Sequence, residues 1–526
     1  MNSTRKLKVG GWLAGFAAAV LQLGASANAA SAPRVLQVGS YAGHRGAFNT
    51  IQAAVNAARP GDWILIAPGD YHEAGSDLAG VYVTTPGIHL RGMDRSHVIV
   101  DGTLPGSAPC SSDPAAQNFG TDSHGRNGIE VFKVDGVSIE NLTVCNFMGD
   151  VAGSQGNQIW WNGGDGSGQI GMGNFSGAYL TATSSFYQPN ANLAQYGIFA
   201  SNARGPGLIE HSYASNMSDS AFYVGGCADC NTTLRFVHAQ NSAQGFSGSN
   251  AGGRLVLEYS EWDGNQSGIV PSSLAVDDLP SPQDGACPGN PPQSCTLIQY
   301  NYVHDNNNPN TPAAGLAATV PVGTGIDLTG GRNNTVRGNS VVRNGAWGIL
   351  LNDYPDYSAS NGDPAYCSGG IQSYTPPAPY DQLYAPNLPI PCYFQSFGNQ
   401  VTANVLQDNG FFGNATNGDL ANAALPYASN NCFDGNVNSR TGAPSSAPRH
   451  LQNPAVAGVC GRPWKPAVNQ EILLTEQLGC ASVGLCAGLP PPLYPTQTQV
   501  LLLPLAHEPG LPEACAGVPR NSWCPR

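Results

Sequence analysis

The stretch GIDLTGGRNNTVRGNSVVRNGAWGILL, residues 325–351, contains one complete unit of an internal repeat and the start of the next. Its two Gly-Ile pairs, at Gly325 and Gly348, stand 23 residues apart, and the apolar segment between them ends in Asn344. Similar pairs begin at Gly197, Ala221, Gly245 and Gly268, and similar segments ending in asparagine cover residues 209–216, 234–241, 257–265, 298–306 and 401–409. A short fixed period of this kind predicts a solenoid, because each unit buries its apolar residues only against its neighbours.

Alternation along the Gly-Ile strands predicts which side chains face the interior. We expect Ile198, Phe222, Phe246, Ile269, Ile326 and Ile349 to point inward. The residues that follow them should point outward: Phe199, Tyr223, Ser247, Val270, Asp327 and Leu350. The repeated asparagines predict a ladder of side-chain hydrogen bonds at one turn of the stacked coils, since asparagine tolerates left-handed turns and bonds backbone groups.

Three segments interrupt or end this repeat. Residues 48–59 have apolar residues at helical spacing and predict a short N-terminal cap helix. Residues 271–295 are rich in Pro, Asp and Cys and predict a long loop. Residues 441–526, also rich in Cys and Pro, predict a C-terminal cap or tail after a solenoid domain of residues 30–440.

The composition agrees with an all-β, turn-rich globular protein. Charged residues make up only 11% of the chain, which contains 66 Gly and 41 Pro, while a hydrophobic fraction of 41% argues against disorder. The formal net charge of −13 argues against nucleic acid and anionic membranes as partners.

The N-terminus and the cysteines predict an exported protein. Residues 1–29 read as a signal peptide, with basic residues, a short apolar run and an Ala-Asn-Ala cleavage site, so no membrane span remains after cleavage. Fourteen cysteines in such a chain predict disulfides. Pairing of near neighbours is our default: Cys227 with Cys230, Cys287 with Cys295, Cys367 with Cys392, Cys480 with Cys486, and Cys515 with Cys524. The predicted location is secreted, and a monomer is the default oligomeric state.

The N-terminal part of the chain also resembles a known superfamily. Residues 50–55, 60–62 and 64–71, followed by 87–92 and 98–102, are similar to the opening coils of the right-handed parallel β-helix superfamily, the pectate-lyase-like fold. The resemblance covers about residues 48–440 and implies a right-handed parallel β-helix solenoid. It does not select an activity, because this fold includes polysaccharide lyases, hydrolases, esterases, epimerases, phage tailspikes and adhesins.

The motifs of individual catalytic families are absent or displaced. The three motifs of polygalacturonases do not occur in order, and His304-Asp305 lacks the preceding Asp-Pro of alginate epimerases. Residues 461–464, Gly-Arg-Pro-Trp, match a pectin-esterase motif but lie beyond the last clear coil, so an esterase is the weaker alternative.

Two kinds of cleavage chemistry fit the remaining candidates. A lyase needs a cation to neutralise a uronate and a base to remove a proton. Arg332, Arg337 and Arg343 with Asp327, and the His304-Asp305 pair one coil earlier, form one possible site. A glycoside hydrolase needs two carboxyls, and Asp277, Asp278 and Asp284 in the long loop are candidates. These three aspartates are also a candidate Ca²⁺ site, and the sequence indicates no other cofactor.

Outward aromatic residues point to binding rather than cleavage. Phe199 and Tyr223 fall on successive coils, and Trp347 lies near a later strand, so their rings offer apolar faces to sugars if they are exposed. The alternative is that a loop, such as the Gly-rich residues 163–177, covers them. The sequence therefore predicts a secreted β-helix that binds, and possibly cleaves, an extracellular polysaccharide in a groove along the Gly-Ile strands. The alternative is a non-catalytic surface or adhesion scaffold.

Overall fold

A computed structural model describes most of the chain. The described residues are 32–120, 124–150, 155–165, 167, 169–189, 193–275, 295–357, 367, 369–384, 389–425, 430–453, 460, 467–486, 488–494 and 500–525. The predicted signal peptide, most of the predicted 271–295 loop and the Gly-Arg-Pro-Trp match lie outside them.

The described strands form a parallel β-helix in which each coil adds one strand to each of three sheets. Sheet 1 has twelve described strands: Val35–Val38, Trp63–Ile66, His89–Gly92, Ser138–Glu140, Phe175–Ala178, Gly207–Glu210, Thr232–Arg235, Leu255–Glu258, Thr296–Gln299, Thr335–Arg337, Gln400–Thr402 and Cys432–Asp434.

Sheets 2 and 3 each have eleven described strands. Sheet 2 contains Gly69–Tyr71, Val98–Asp101, Thr143–Cys145, Thr181–Thr183, Tyr213–Ser215, His238–Gln240, Glu261–Asp263, Tyr302–His304, Ser340–Val342, Val405–Gln407 and Val437–Asn438. Sheet 3 contains the Gly-Ile strands: Ala79–Val83, Asn127–Phe132, Ile159–Asn162, Ile198–Ser201, Ser220–Gly225, Gln244–Ser249, Ser267–Ser272, Thr324–Thr329, Trp347–Asn352, Gly418–Asn422 and Ser446–Ala447.

Smaller elements lie outside the three sheets. Antiparallel pairs join Ser40–Tyr41 to His44–Arg45, and Ile390–Phe394 to both Tyr354–Asp356 and Ile371–Tyr374. The helices are α1 (Ile51–Ala57), α2 (Val468–Val483) and 3₁₀ turns at Pro114–Ala116, Gly315–Thr319 and Tyr380–Tyr384. No helix among the described residues is long and apolar enough to cross a membrane.

The inward positions predicted for sheet 3 are confirmed. Ile198, Phe222, Phe246, Ile269, Ile326 and Ile349 are fully buried in one continuous core. Successive coils hold them in register, with Ile326 paired to both Ile269 and Ile349. α1 adds Ile51, Ala54 and Val55 to the same core.

The asparagine ladder is also confirmed. Asn301, Asn339, Asn404 and Asn436 occupy one turn on successive coils, and each side-chain amide donates to the Oδ1 of the next asparagine at 2.8–3.0 Å. A second ladder runs through Asn265, Asn306, Asn344 and Asn409. Both ladders are buried over most of their length, so these amides replace the turn hydrogen bonds that water would otherwise supply.

The disulfides follow the expected neighbour pairing in four cases. Cys227–Cys230, Cys367–Cys392, Cys480–Cys486 and Cys515–Cys524 are bonded. Cys295 is disulfide-bonded as well, whereas Cys287 lies outside the described residues. Cys110–Cys145 and Cys432–Cys460 were not predicted, since their partners are 35 and 28 residues apart in the sequence and are not near neighbours.

The C-terminal segment, residues 500–525, runs back along the helix toward the first coil. Asn308, Asn241 and Asn216 donate side-chain hydrogen bonds to the carbonyls of Val500, Leu501 and Leu503, in that order. Farther on, Leu511 N–H donates to Asn141, and Trp523 packs against Leu65 and Met93 of the opening coils. This segment therefore ties the middle coils to the N-terminal end.

Candidate functional site

The outer face of sheet 3 carries one side chain per coil in a continuous column. Strand register places Tyr82, Glu130, Trp160, Phe199, Tyr223 and Ser247 in successive positions of this column. Val270, Asp327, Leu350 and Ala421 continue it. Adjacent strands lie about 4.8 Å apart, so neighbouring side chains of the column touch.

Three rings in the first half of the column, with the ring of Tyr196 beside them, form what we call the aromatic cluster: Trp160, Phe199, Tyr223 and Tyr196. Trp160 stacks on Phe199 with ring centroids 5.1 Å apart and planes at 7°. Tyr196 stacks on Phe199 at 4.5 Å, and Tyr223 meets Phe199 edge-on at 4.7 Å. Trp160 and Tyr196 are half-buried, so they present the cluster to solvent.

The expectation that Phe199 and Tyr223 are exposed is wrong. Phe199 is 8% exposed and Tyr223 is 5% exposed, because the rings of Trp160 and Tyr196 pack against Phe199, and that of Tyr196 also against Tyr223. Trp347 is likewise buried: its indole N–H donates to the Thr416 carbonyl at 2.9 Å, and it packs in a cluster with Phe412 and Leu474 of α2.

Two carboxyls border the aromatic cluster. Glu130 is buried and accepts hydrogen bonds from the amides of Asn127 at 3.0 Å and Asn162 at 2.9 Å. Burial raises the pKa of Glu130, and the two amide hydrogen bonds offset part of that increase.

The second carboxyl, Asp219, directly precedes the strand that carries Tyr223. It accepts hydrogen bonds from the Tyr196 hydroxyl at 3.0 Å and the Ser220 hydroxyl at 2.8 Å. Burial raises the pKa of Asp219 to about 6, despite these two hydrogen bonds. A carboxyl in this range exchanges protons near neutral pH beside an aromatic surface.

The outer face of sheet 3 is acidic rather than basic in its described strands. The first outward column contains Glu130 and Asp327, and the second contains Phe132, Asn162, Ser201, Gly225, Ser249, Ser272, Thr329 and Asn352. Neither described column includes Lys, Arg or His. A ligand on this face meets carboxyl, amide and hydroxyl groups and aromatic rings.

Asp327 lies in the outward column as expected but is not accessible. It is 2% exposed between Val270 and Leu350, and Leu350 is itself covered in a cluster with Phe412 and Leu474. Burial raises the pKa of Asp327 to about 7, although the Thr329 side chain partly offsets this. Its Oδ1 has no hydrogen-bond partner among the described residues. The prediction of an open groove at this coil is therefore wrong.

The three predicted arginines do not converge on Asp327. Arg337 lies on sheet 1 and donates to Gln299 at 2.8 and 3.0 Å, while Arg332 forms an isolated β-bridge with Phe397 and donates to the Gln395 carbonyl. Arg343 follows a strand of sheet 2 and pairs with Asp305. One coil passes through three sheets, so residues a few positions apart face different sides of the helix.

His304 and Asp305 do lie together, on sheet 2. The two ring nitrogens of His304 face carboxylates, Asp305 at 2.8 Å and Glu261 at 3.0 Å. Burial lowers the pKa of His304, but these hydrogen bonds outweigh it and the net pKa is raised. Because Asp305 is also bound by Arg343, the network is an internally paired set of charges on a different face from the aromatic cluster.

Asp277, Asp278 and Asp284, predicted for catalysis or Ca²⁺ binding, lie outside the described residues. Trp160, Glu130, Tyr196 and Asp219 were not singled out from the sequence. Tyr196 stands directly before the Gly197 repeat start, and Asp219 stands two residues before Ala221. Both could have been identified from the sequence by examining the residues that precede each repeat start. Trp160 was not identified from the sequence, because its coil does not begin with a Gly-Ile pair.

Residues 176–363 match the family model of the right-handed β-helix region. No curated protein matches the chain in sequence. Among solved structures, the A-module of a mannuronan C-5 epimerase from Azotobacter vinelandii is similar at 11% identity and a TM-score of 0.41, covering 73% of this chain and 89% of the module.

Two further structures are similar at the same level. A pectate lyase has 13% identity and a TM-score of 0.37, covering 78% of each chain. A tailspike protein of an E. coli bacteriophage, in complex with a pentasaccharide, has 13% identity and a TM-score of 0.36, covering 77% of this chain and 58% of the tailspike. Because identity is this low, function must be argued from the residues of this chain.

Proposed function

We propose that this chain, a member of the right-handed parallel β-helix superfamily, binds an extracellular polysaccharide on the outer face of sheet 3. The observation that supports this most directly is the aromatic cluster, with Trp160 stacked on Phe199 and half-exposed to solvent. Sugar rings have apolar C–H faces that pack on aromatic side chains and hydroxyl edges that need polar partners.

The polar groups around the cluster suit those hydroxyl edges. Glu130 lies in the coil before Trp160, Asn162 ends the strand that carries Trp160, and Asp219 lies beside Tyr196. A column that continues through successive coils matches a ligand that is itself a repeating chain. The binding site thus covers the strands Asn127–Phe132, Ile159–Asn162, Ile198–Ser201 and Ser220–Gly225.

The charge of this face indicates the kind of polymer. The described outward columns contain no Lys, Arg or His to pair with a uronate or a sulfate, while Glu130 and Asp219 lie beside the aromatic cluster, so an anionic chain would gain no ion pair there. We therefore infer an uncharged polysaccharide as the ligand. An extracellular location agrees with the described disulfides, which persist in oxidising compartments.

A panel of neutral, uronate and sulfated polysaccharides in affinity electrophoresis tests the ligand class. Retardation by one or more neutral polymers, without retardation by anionic polymers at low salt, is the expected result. Hydrogen exchange with a bound oligosaccharide then tests the location. We expect protection of Ile159–Asn162, Ile198–Ser201 and Ser220–Gly225; protection confined to sheet 2 would contradict the proposal.

Cleavage of the bound polymer is a second, separable proposal. Asp219 combines a raised pKa with a place beside the aromatic cluster, which is the environment of a general acid. If Asp219 acts in this way, Asp219→Asn removes product formation while the affinity for the polymer changes little. If the wild-type chain binds a polymer but forms no product from it, the cleavage proposal is wrong and the protein is a binding scaffold.

A further inference from the structure

A second cluster of side chains lies on the N-terminal coils, away from the aromatic cluster. Asp70 belongs to the sheet 2 strand Gly69–Tyr71, His72 follows that strand, and Asp101 ends the neighbouring strand Val98–Asp101. The register pairs Asp70 with Ile99, so the two aspartates come from adjacent coils. One potential ligand atom from each of Asp70, His72 and Asp101 lies within 4.8 Å of the other two.

The hydrogen bonds of His72 assign its protons. Nδ1 lies 2.8 Å from the carbonyl oxygen of Thr103, which only accepts, so Nδ1 carries the hydrogen. Nε2 lies 3.1 Å from Oδ2 of Asp70. A neutral His72 therefore directs the lone pair of Nε2 at a carboxylate, and only a cation between them removes that repulsion. The cation is either a proton on Nε2 or a metal ion.

The two aspartates add to the same need for positive charge. One carboxylate oxygen of Asp70 and one of Asp101 lie within 4.8 Å of each other, and two like charges this close repel. A divalent ion with neutral His72 makes the cluster neutral.

The surroundings of the cluster hold each group in place. Asp101 is 1% exposed, and its oxygens accept the backbone N–H groups of Thr103 at 2.8 Å and Cys110 at 2.6 Å. His72 is oriented by the Thr103 carbonyl. Such outer contacts, a carbonyl on the far nitrogen of the histidine and donors on the carboxylate, are what orient metal ligands in proteins. The Asp70 side chain is 24% exposed and leaves a path from solvent.

We propose that Asp70, His72 and Asp101 bind one divalent first-row transition-metal ion. Imidazole with two carboxylates is a donor set for Zn²⁺ and related ions. The bound ion would fasten the segment that begins at Thr103 and reaches Cys110 to the first two coils, next to the Cys110–Cys145 disulfide. Its role would be structural and independent of polysaccharide binding.

The His238, Glu261 and Asp263 group is the competing site among the described residues. There, His238 faces Asp263 at 2.7 Å, Gln240 donates to the other Asp263 oxygen, and Glu261 faces the doubly hydrogen-bonded His304. Among the described residues, side chains from outside the group thus donate to both of its carboxylates, whereas from outside the proposed cluster only backbone N–H groups donate to Asp70 and Asp101. The two sites are distinguished by one variant in each.

The test is Zn²⁺ binding to the full chain after dialysis against a chelator, measured by calorimetry and by the thermal unfolding midpoint. We expect one bound Zn²⁺ and a raised midpoint for the wild type. Both should be lost in His72→Gln and in Asp70→Asn, which leave the backbone contacts of Asp101 intact. The matched control is the double variant Asp94→Asn, His97→Gln, which removes an exposed His–Asp pair from the same region.

Unchanged Zn²⁺ stoichiometry in both His72→Gln and Asp70→Asn would overturn the proposal. Loss of the bound ion in His238→Gln instead would also overturn it. Far-ultraviolet circular dichroism of each metal-free variant should match that of the metal-free wild type. If it does, the absence of a Zn²⁺-induced rise in the unfolding midpoint reflects lost binding and not misfolding.

Discussion

The indole of Trp160 lies nearly parallel to the phenyl ring of Phe199, with centroids 5.1 Å apart, although the two residues belong to different coils. The stack exists because strand register places the two residues side by side on the outer face of sheet 3. It buries Phe199 and leaves Trp160 half-exposed, so the surface offered to a ligand is that of Trp160 and Tyr196.

The buried Asp327 carboxyl makes the stability of the protein depend on pH. Its pKa rises from 3.8 to about 7 on folding, so the native state favours the protonated form. The resulting penalty is absent below about pH 4, grows as the pH rises toward 7 and is complete above it. Asp327→Asn should therefore raise the free energy of unfolding at pH 8, by up to about 4 kcal/mol, and change it little at pH 4.

Urea unfolding at pH 4, 6 and 8 measures this difference. Asp434→Asn, an exposed carboxyl on sheet 1, controls for the change in net charge. An equal effect of Asp327→Asn at all three pH values would contradict the assignment of a raised pKa to Asp327.

Gly338 lies beneath the exposed ring of Tyr300, where a larger residue does not fit. Its φ is +63°, and a Cβ there would lie 2.7 Å from Cε1 of Tyr300. Tyr300 is held in a stack with Tyr259, with centroids 5.3 Å apart, so it does not move away freely. Gly338→Ala should destabilise by about 1 kcal/mol from backbone strain and by a further steric amount.

Gly413→Ala separates the two contributions, because Gly413 has a φ of +81° and nothing within 4 Å of an added Cβ. Thermal unfolding should show a larger loss for Gly338→Ala than for Gly413→Ala. The excess should vanish when Tyr300→Ala is combined with Gly338→Ala; persistence of the excess would refute the steric explanation.

The asparagine ladder should be costly to interrupt. Asn339 accepts from Asn301 and donates to the Ile298 carbonyl and to Asn404, all in the buried interior. Asn339→Ala leaves several of these groups unpaired, and we expect a loss of about 3 kcal/mol in the free energy of unfolding. The exposed Asn49→Ala serves as control and should change it by less than about 0.5 kcal/mol. Similar losses in both variants would show that the ladder contributes little.

Ile326→Asp should prevent folding, since Ile326 is fully buried between Ile269 and Ile349. Exposure of Val270 is only 3%, so Val270→Asp should also destabilise, which differs from what alternation alone suggests. Soluble expression and circular dichroism of both variants check this. A fully stable Val270→Asp protein would show that the outer face is open at this coil.

The repeat determines the fold so directly that the inward residues and the ladders could be predicted from spacing. Periodicity specifies on which face a side chain lies, but not whether another part of the chain covers that face. Trp347 was predicted as accessible and is covered, because Leu474 of α2 packs in its cluster from more than 100 residues away in the sequence. Asp327 was also predicted as accessible and is buried between Val270 and Leu350. The arginines were grouped by sequence distance, whereas the coil distributes them over different sides.

The site itself was predicted only in part. Phe199 and Tyr223 were selected as neighbours on successive coils, and they do contact each other. Trp160 and Tyr196 complete the cluster, but the coil of Trp160 begins with Gln158-Ile159 instead of a Gly-Ile pair, and Tyr196 precedes a repeat start. Asp219 becomes a candidate only when its burial and its contact with Tyr196 are known, and neither is visible in the sequence.

The central claim is that the exposed part of the aromatic cluster binds polysaccharide, and the affinity of Trp160→Ala tests it most directly. The control is Phe411→Ala, which removes a ring that is 52% exposed elsewhere on the helix. Titration with the neutral polymer that binds best should give a dissociation constant that is about tenfold larger, or more, for Trp160→Ala than for the wild type. The dissociation constant of Phe411→Ala should be unchanged. Equal affinity of Trp160→Ala and the wild type would contradict the account.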